Sequence, residues 1–173
     1  DTEEKAVVNF DREYSIALND KNGRDAASSV LTTVRVENNA QLAIAPYYYF
    51  TASIYRGECT SSRVALMTAK SSDTSLYFAK INGEQVWKLV ENYLDHTEDE
   101  FSITNKYELP ILSGMKITVQ KEENGFLLKD IAVDQEKIDK EKEYSILLTD
   151  DTRSILEKTT PGCRIKRLPD MTL

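Results

Sequence analysis

A single histidine, His96, is all the imidazole that this 173-residue chain contains. Zinc sites, Ser-His-Asp triads and two-metal phosphatase centres draw on one or more histidines in set company, so we expect no complete hydrolytic centre within it. Cysteine is scarce too. Cys59 and Cys163 stand far apart and form no C-x-x-C metal or redox pattern; they read as unpaired thiols, with a secreted-type disulfide as the alternative. Positive charge is in deficit: 22 Lys and Arg face 29 Asp and Glu, a net charge of −7, and no basic cluster offsets it. Phosphate-backbone binding needs a cationic face, so nucleic acid is not an expected partner. Long apolar runs are missing as well. Stretches such as Leu42–Ala45 and Ile146–Leu148 are strand-sized, against the roughly 20 residues of a membrane helix, and no membrane span is expected.

What is present is the composition of a globular domain. With 40% hydrophobic and 29% charged residues, the chain is neither a disordered tail nor a disulfide-dense mini-protein. A single domain over residues 1–173, with a core at about 6–158, can bury roughly 70% of the surface its unfolded form exposes. The chain opens Asp1-Thr2-Glu3 with no initiator Met, and we expect a fragment of a longer protein.

Apolar clusters at Ala6–Phe10 and Tyr14–Leu18 read as strands. A helix follows, with Asp25 as its cap and Ala26, Ala27, Val30, Leu31 and Val34 on one face, up to the polar break Glu37-Asn38-Asn39. Gln41–Ala45 is a short buried strand, and Ser75–Ile81 is strand-like. Asn82-Gly83 turns the chain into a helix from about Glu84, with Val86, Leu89, Val90, Tyr93 and Leu94 on its apolar face. Two alternating segments, Met115–Gln120 and Phe126–Val133, flank Glu122-Glu123-Asn124-Gly125 as an antiparallel hairpin. A charged linker, Gln135–Glu143, leads to the strand Tyr144–Leu148, after which Asp150 or Asp151 caps a short helix through Leu156. The expected fold class is α+β, a mixed sheet with helices packed on it.

Three features carry possible chemistry. The loop Asp95-His96-Thr97-Glu98-Asp99-Glu100 offers oxygen ligands and one imidazole, without calcium-loop spacing; a solvated loop is the plain reading. Asp150-Asp151 stands where a strand meets a helix, a place that suits catalytic carboxylates and helix caps alike. Four aromatics follow Pro46. On a strand Tyr47 and Tyr49 would point one way and Tyr48 and Phe50 the other, so one pair is either a stacking platform or part of a core or interdomain contact. Trp87, expected to be partly buried on its helix, is a fluorescence reporter.

From Asp25 onward the order of elements resembles the C-terminal domain of the 5'-nucleotidase family, also known as the UDP-sugar hydrolase or 2',3'-cyclic-nucleotide phosphodiesterase family. The family's L-G-N-L-x-x-D-A helix has its counterpart in Ala26–Val36, and its short strand in Gln41–Ala45. Its A-P-I-x-x-G-x-I-T segment is matched by Ala52-Ser53-Ile54-Tyr55-Arg56-Gly57-Glu58-Cys59-Thr60, and its strand, turn and helix by Leu76–Ile81, Asn82-Gly83 and Glu84 onward. Leu109-Pro110-Ile111-Leu112-Ser113-Gly114-Met115-Lys116-Ile117 resembles F-L-Q-V-S-G-L-K-V, and Glu141–Asp150 resembles D-K-x-Y-x-V-A-x-x-D. The likeness spans about residues 24–155.

The resemblance implies a nucleoside-recognition domain whose partner, an N-terminal metallophosphoesterase domain in cis, holds the divalent metals and the catalytic His-Asp pair. The motifs D-x-H, G-D-x-x-D and G-N-H-E are not in this chain, so no catalytic or metal residues are expected here and the fragment alone should be inactive. The recognition positions depart from the family pattern. Pro46–Thr51 replaces N-G-G-G-I-R, so Thr51 stands where an Arg would fork onto an anionic group. One stacking aromatic falls near Met67–Lys70 and the other at Asp151, while Ile155-Leu156-Glu157-Lys158 replaces G-G-D-G-Y/F. The expected substrate-binding residues are therefore Tyr48, Phe50, Thr51 and Asp151, with a nucleoside or nucleotide sugar as ligand. By the same resemblance the parent protein is a secreted or cell-surface phosphohydrolase. The alternative is a non-catalytic binding or structural module that keeps the fold without nucleotide recognition.

Overall fold

A computed structural model of the chain describes residues 6–10, 21–46, 57–60, 75–95, 109–123 and 125–169. In chain order these form β1 (Ala6–Phe10), α1 (Lys21–Glu37), β2 (Leu42–Ala45), β3 (Gly57–Thr60), β4 (Tyr77–Asn82), α2 (Gly83–Asp95), β5 (Ile111–Ser113), β6 (Lys116–Glu122), β7 (Gly125–Val133), β8 (Glu136–Lys137), β9 (Glu143–Leu148), α3 (Asp150–Thr159) and β10 (Ile165–Arg167). The central sheet runs β10-β4-β9-β2-β5, with β2 parallel to β9 and the other neighbours antiparallel. β1 pairs with β3, and β6-β7-β8 form a third sheet. This is the mixed-sheet α+β architecture that the sequence leads one to expect. The expected strand Tyr14–Leu18 lies outside the described residues.

The middle strands explain themselves. β2 is buried at all four positions and β9 from Tyr144 to Leu148, as strands covered on both faces must be. On one face Leu42, Ile44, Ala79, Ile81, Ile146 and Leu148 pack with Val86, Leu89, Val90 and Leu94 of α2, Ile155 and Leu156 of α3, and Leu128 and Ile131 of the hairpin. On the other, α1 buries Ala27, Val30, Leu31 and Val34 and contacts β5 and β2. Each large side chain removed from water contributes about 1.5–3 kcal/mol, so these two layers are the main source of stability.

Local chemistry sets the element ends. α2 starts with a reciprocal cap: the Gln85 N–H donates to Asn82 Oδ1 and the Asn82 N–H to Gln85 Oε1, both at 2.9 Å. α1 begins four residues before the cap expected at Asp25, because its first turn is anchored from outside. Arg24 donates to the carbonyls of Leu109 at 2.7 Å and Pro110 at 3.0 Å. Asn39, at φ 54°, ends the helix in the left-handed region that Asn tolerates. Gly114 turns β5 into β6 at φ 78°, and a Cβ there would collide with the Gln41 carbonyl oxygen.

The hairpin β6–β7 forms as its alternation predicts, from Lys116 opposite Ala132 to Glu122 opposite Gly125. Within the charged linker, Glu136 and Lys137 add the short strand β8 to β7. Ile165–Arg167, a segment without a strand signal in the sequence, forms the edge strand β10 against β4. Three residues carrying two cations give no period to read.

Candidate functional site at the carboxyl ends of the parallel strands

Parallel β2 and β9 end side by side, with Ile44 registered against Leu148. In mixed sheets ligands favour such a place, because the chains leaving two parallel strands diverge there. α3 begins directly after β9, so its N-terminal N–H groups open on the same end. The capping expectation needs correction. Thr149 is the N-cap, and Asp150 and Asp151 occupy the first two positions inside the helix. A threonine wins because the cap is buried: Thr149 and Thr152 are 3% and 0% exposed, and two small hydroxyls satisfy one another there at no charge-burial cost. The Thr149 N–H donates to Thr152 Oγ1 at 2.9 Å, and the same hydroxyl reaches the Ile44 carbonyl at 3.3 Å. α3 is thereby tied to the end of β2.

With the cap role taken by Thr149, the two aspartates are left half-buried at the mouth, where the positive end of the helix dipole favours them. Tyr77, at the start of β4 and opposite Leu148, donates its phenol to Asp150 Oδ1 at 2.8 Å. Burial, and next the hydrogen bond donated to Asp150, push the Tyr77 phenol above its ordinary value. It is a fixed donor rather than a nucleophile. The Arg153 guanidinium lies 4.7 Å over the Tyr77 ring and donates to Glu157 Oε1 at 3.0 Å, one helical turn on. Its Nε–H is buried and has no hydrogen-bond partner among the described residues. The described mouth therefore presents two carboxylates, a neutral phenol and one partly exposed guanidinium.

Of the substrate-binding residues expected from the sequence, Asp151 is at this mouth, while Tyr48, Phe50 and Thr51 lie outside the described residues. The chain that carries them leaves from Pro46, buried directly after β2. Met67–Lys70 and the loop residues His96–Glu100 also lie outside them. Tyr77 and Arg153 were not anticipated. Tyr77 is 73 positions from Asp150, a separation that no local pattern bridges; Arg153 carried one signal, its i,i+4 spacing to Glu157. The segment in place of the family's glycine-rich stretch is helical, with Ile155 and Leu156 buried in the core.

Trp87 is half-buried, as expected, yet it does not report on this mouth. It sits in the first turns of α2, past the far end of β4 from Tyr77, with Lys140 Nζ 5.7 Å over its ring. Cys163 carries a free thiol, pushed above its ordinary range by burial. Among the described residues no three His, Cys, Asp or Glu side chains come together where they could hold a metal ion. No described helix is long and apolar enough to cross a membrane.

The model of the 5'-nucleotidase C-terminal domain matches residues 13–152 of the chain. No curated protein matches it in sequence. Among solved structures, a 5'-nucleotidase precursor from Thermus thermophilus is similar at 13% identity and a TM-score of 0.66, over 94% of this chain and 34% of that one. The NAD nucleotidase of Haemophilus influenzae is similar at 17% identity and a TM-score of 0.63, over 94% and 31%. A putative 5'-nucleotidase from Staphylococcus aureus follows at 14% identity and a TM-score of 0.58, over 91% and 35%. Identities this low establish the shared fold. The chain spans about a third of the length of these structures.

Proposed function

Because the chain belongs to the 5'-nucleotidase C-terminal domain family, we propose that it is the substrate-recognition part of a metallophosphohydrolase and takes a nucleoside, nucleotide or nucleotide sugar at the mouth of β2 and β9. The observation that carries this reading is the convergence of Tyr77, Asp150, Asp151 and Arg153 on one end of the parallel pair, the end at which Pro46 follows β2. Carboxylates accept from sugar hydroxyls, and the partly exposed Arg153 guanidinium offers positive charge and planar N–H donors. Tyr48 and Phe50 would supply the stacking surface, at roughly 1–3 kcal/mol per aromatic. Thr51 contributes a hydroxyl where the family has a guanidinium. Chemistry at phosphorus would come from divalent metals in an N-terminal metallophosphoesterase domain in cis. The Thermus relative is described as a precursor, which suits a secreted or cell-surface parent.

A second reading, a binding or structural module without nucleotide recognition, is favoured by one observation. Ile155 and Leu156 of α3 fill the core where the family has a glycine-rich stretch. Thermal stabilisation by a panel of nucleosides, nucleotides and nucleotide sugars separates the two. Recognition predicts saturable stabilisation that Tyr48→Ala, Phe50→Ala or Asp151→Asn removes. A flat response to the whole panel leaves the structural module.

A further inference from the structure

Tyr77 and Phe78 are neighbours on β4 and face opposite sides of the sheet. Tyr77 belongs to the mouth. Phe78 lines a groove of about 620 Å³ on the other side, between β4, β10 and the segment joining α3 to β10. The ladder fixes the neighbours: Lys166 is registered against Phe78 and Ile165 against Ala79, so Arg164 comes opposite Lys80. The period of two then puts Phe78, Lys80, Arg164 and Lys166 on one face, and all four line the groove.

Three cations thus share a patch two strands wide, in a chain whose net charge is −7. Like charges directly opposed across an antiparallel pair weaken the ladder. Among the described residues none of the three has an ion-pair partner. Glu143 also lines the groove; registered against Asn82, it stands diagonal to Lys80 on the same face, and among the described residues it forms no ion pair with Lys80. The groove's volume falls in the range of small-molecule sites, about 300–1,000 Å³. Phe78 gives it a half-buried apolar wall, and the Cys163 thiol lies along it.

We propose that this groove binds a small, multiply charged phosphate anion between Lys80, Arg164 and Lys166, on the face of the sheet opposite the mouth. Charge complementarity selects the class, and Arg164 supplies the forked donor that phosphate oxygens accept from. The competing explanation is that lysines on an edge strand merely deter sheet-to-sheet pairing. That role requires no ligand.

The test is a titration of the chain with pyrophosphate at about 150 mM salt, which screens diffuse attraction beyond about 8 Å, followed by calorimetry and amide chemical shifts. The proposal expects one saturable site, with shifts confined to residues 78–80 and 163–166. It expects about tenfold weaker binding in each of Lys80→Gln, Arg164→Gln and Lys166→Gln, and unchanged binding in Lys121→Gln, an exposed cation on the hairpin. Saturating pyrophosphate should also slow alkylation of Cys163, read by peptide mass spectrometry. All three groove cations are exposed, so their substitution leaves the core intact, and the amide spectrum of each variant verifies it. Absence of saturation leaves edge protection as the explanation and overturns the proposal. An equal loss in Lys121→Gln, or equal affinity for citrate, would show general charge attraction and overturn it as well.

Discussion

Replacing Thr152 with Val keeps the side chain's shape and deletes one hydroxyl, which makes it a direct probe of how α3 is fastened to the sheet. That hydroxyl accepts the Thr149 N–H at 2.9 Å and lies 3.3 Å from the Ile44 carbonyl, at a residue with no exposed surface. Water cannot replace it as acceptor. The N–H is left buried and unpaired at a cost of about 1–3 kcal/mol, the same range as losing a helix cap. For a domain of this size, about 2 kcal/mol corresponds to roughly 4–8 °C in Tm. Urea denaturation should show the midpoint falling with the slope unchanged. Thr152→Ser, which keeps the hydroxyl and drops one methyl, should cost only about 1 kcal/mol. If Thr152→Val costs no more than Thr152→Ser, the hydroxyl does not hold the helix and the account of the mouth's geometry is wrong.

Three further outcomes follow from the packing. Leu148→Ala, at a fully buried position on β9, should cost about 2–5 kcal/mol in denaturant melts, while Val36→Ala, 58% exposed, should stay within about 0.5 kcal/mol. Gly114→Ala adds a collision with the Gln41 carbonyl to an unfavourable φ; it should cost well over the roughly 1 kcal/mol expected of Gly162→Ala, whose φ is also positive but whose Cβ would meet open space. The folded-state pKa of Tyr77 lies above the unfolded value of 10.0, so its contribution is fully present below pH 10 and is lost as pH rises through the folded pKa. Tyr77→Phe should therefore show a shallower alkaline loss of stability than the parent, and identical slopes for the two would contradict that linkage.

Much of the fold was legible because its elements carry strong local patterns. The hairpin β6–β7 alternates cleanly, α2 shows an unbroken apolar face behind Asn82, and β9 is a run of Ile and Leu short enough to be only a strand. The misplacements have physical causes. α1 starts early because Arg24 bonds to carbonyls 85 and 86 residues away, and Thr149 takes the cap because the cap is buried. The mouth was half legible. Asp150 and Asp151 stood out at a strand-to-helix junction, but Tyr77 joins them only through the β4–β9 ladder, and that pairing is a property of the folded sheet. Tyr48, Phe50 and Thr51 were singled out by composition and by the family's motif, and lie outside the described residues.

The recognition role rests most directly on where a nucleoside lands. Amide chemical shifts should be followed while adenosine, AMP and a nucleotide sugar are titrated separately into the isolated chain. The account predicts saturable shifts concentrated at Tyr77 and at Thr149–Arg153, for at least one of the three. A spectrum unmoved by all of them, or shifts confined to other faces of the domain, would contradict it.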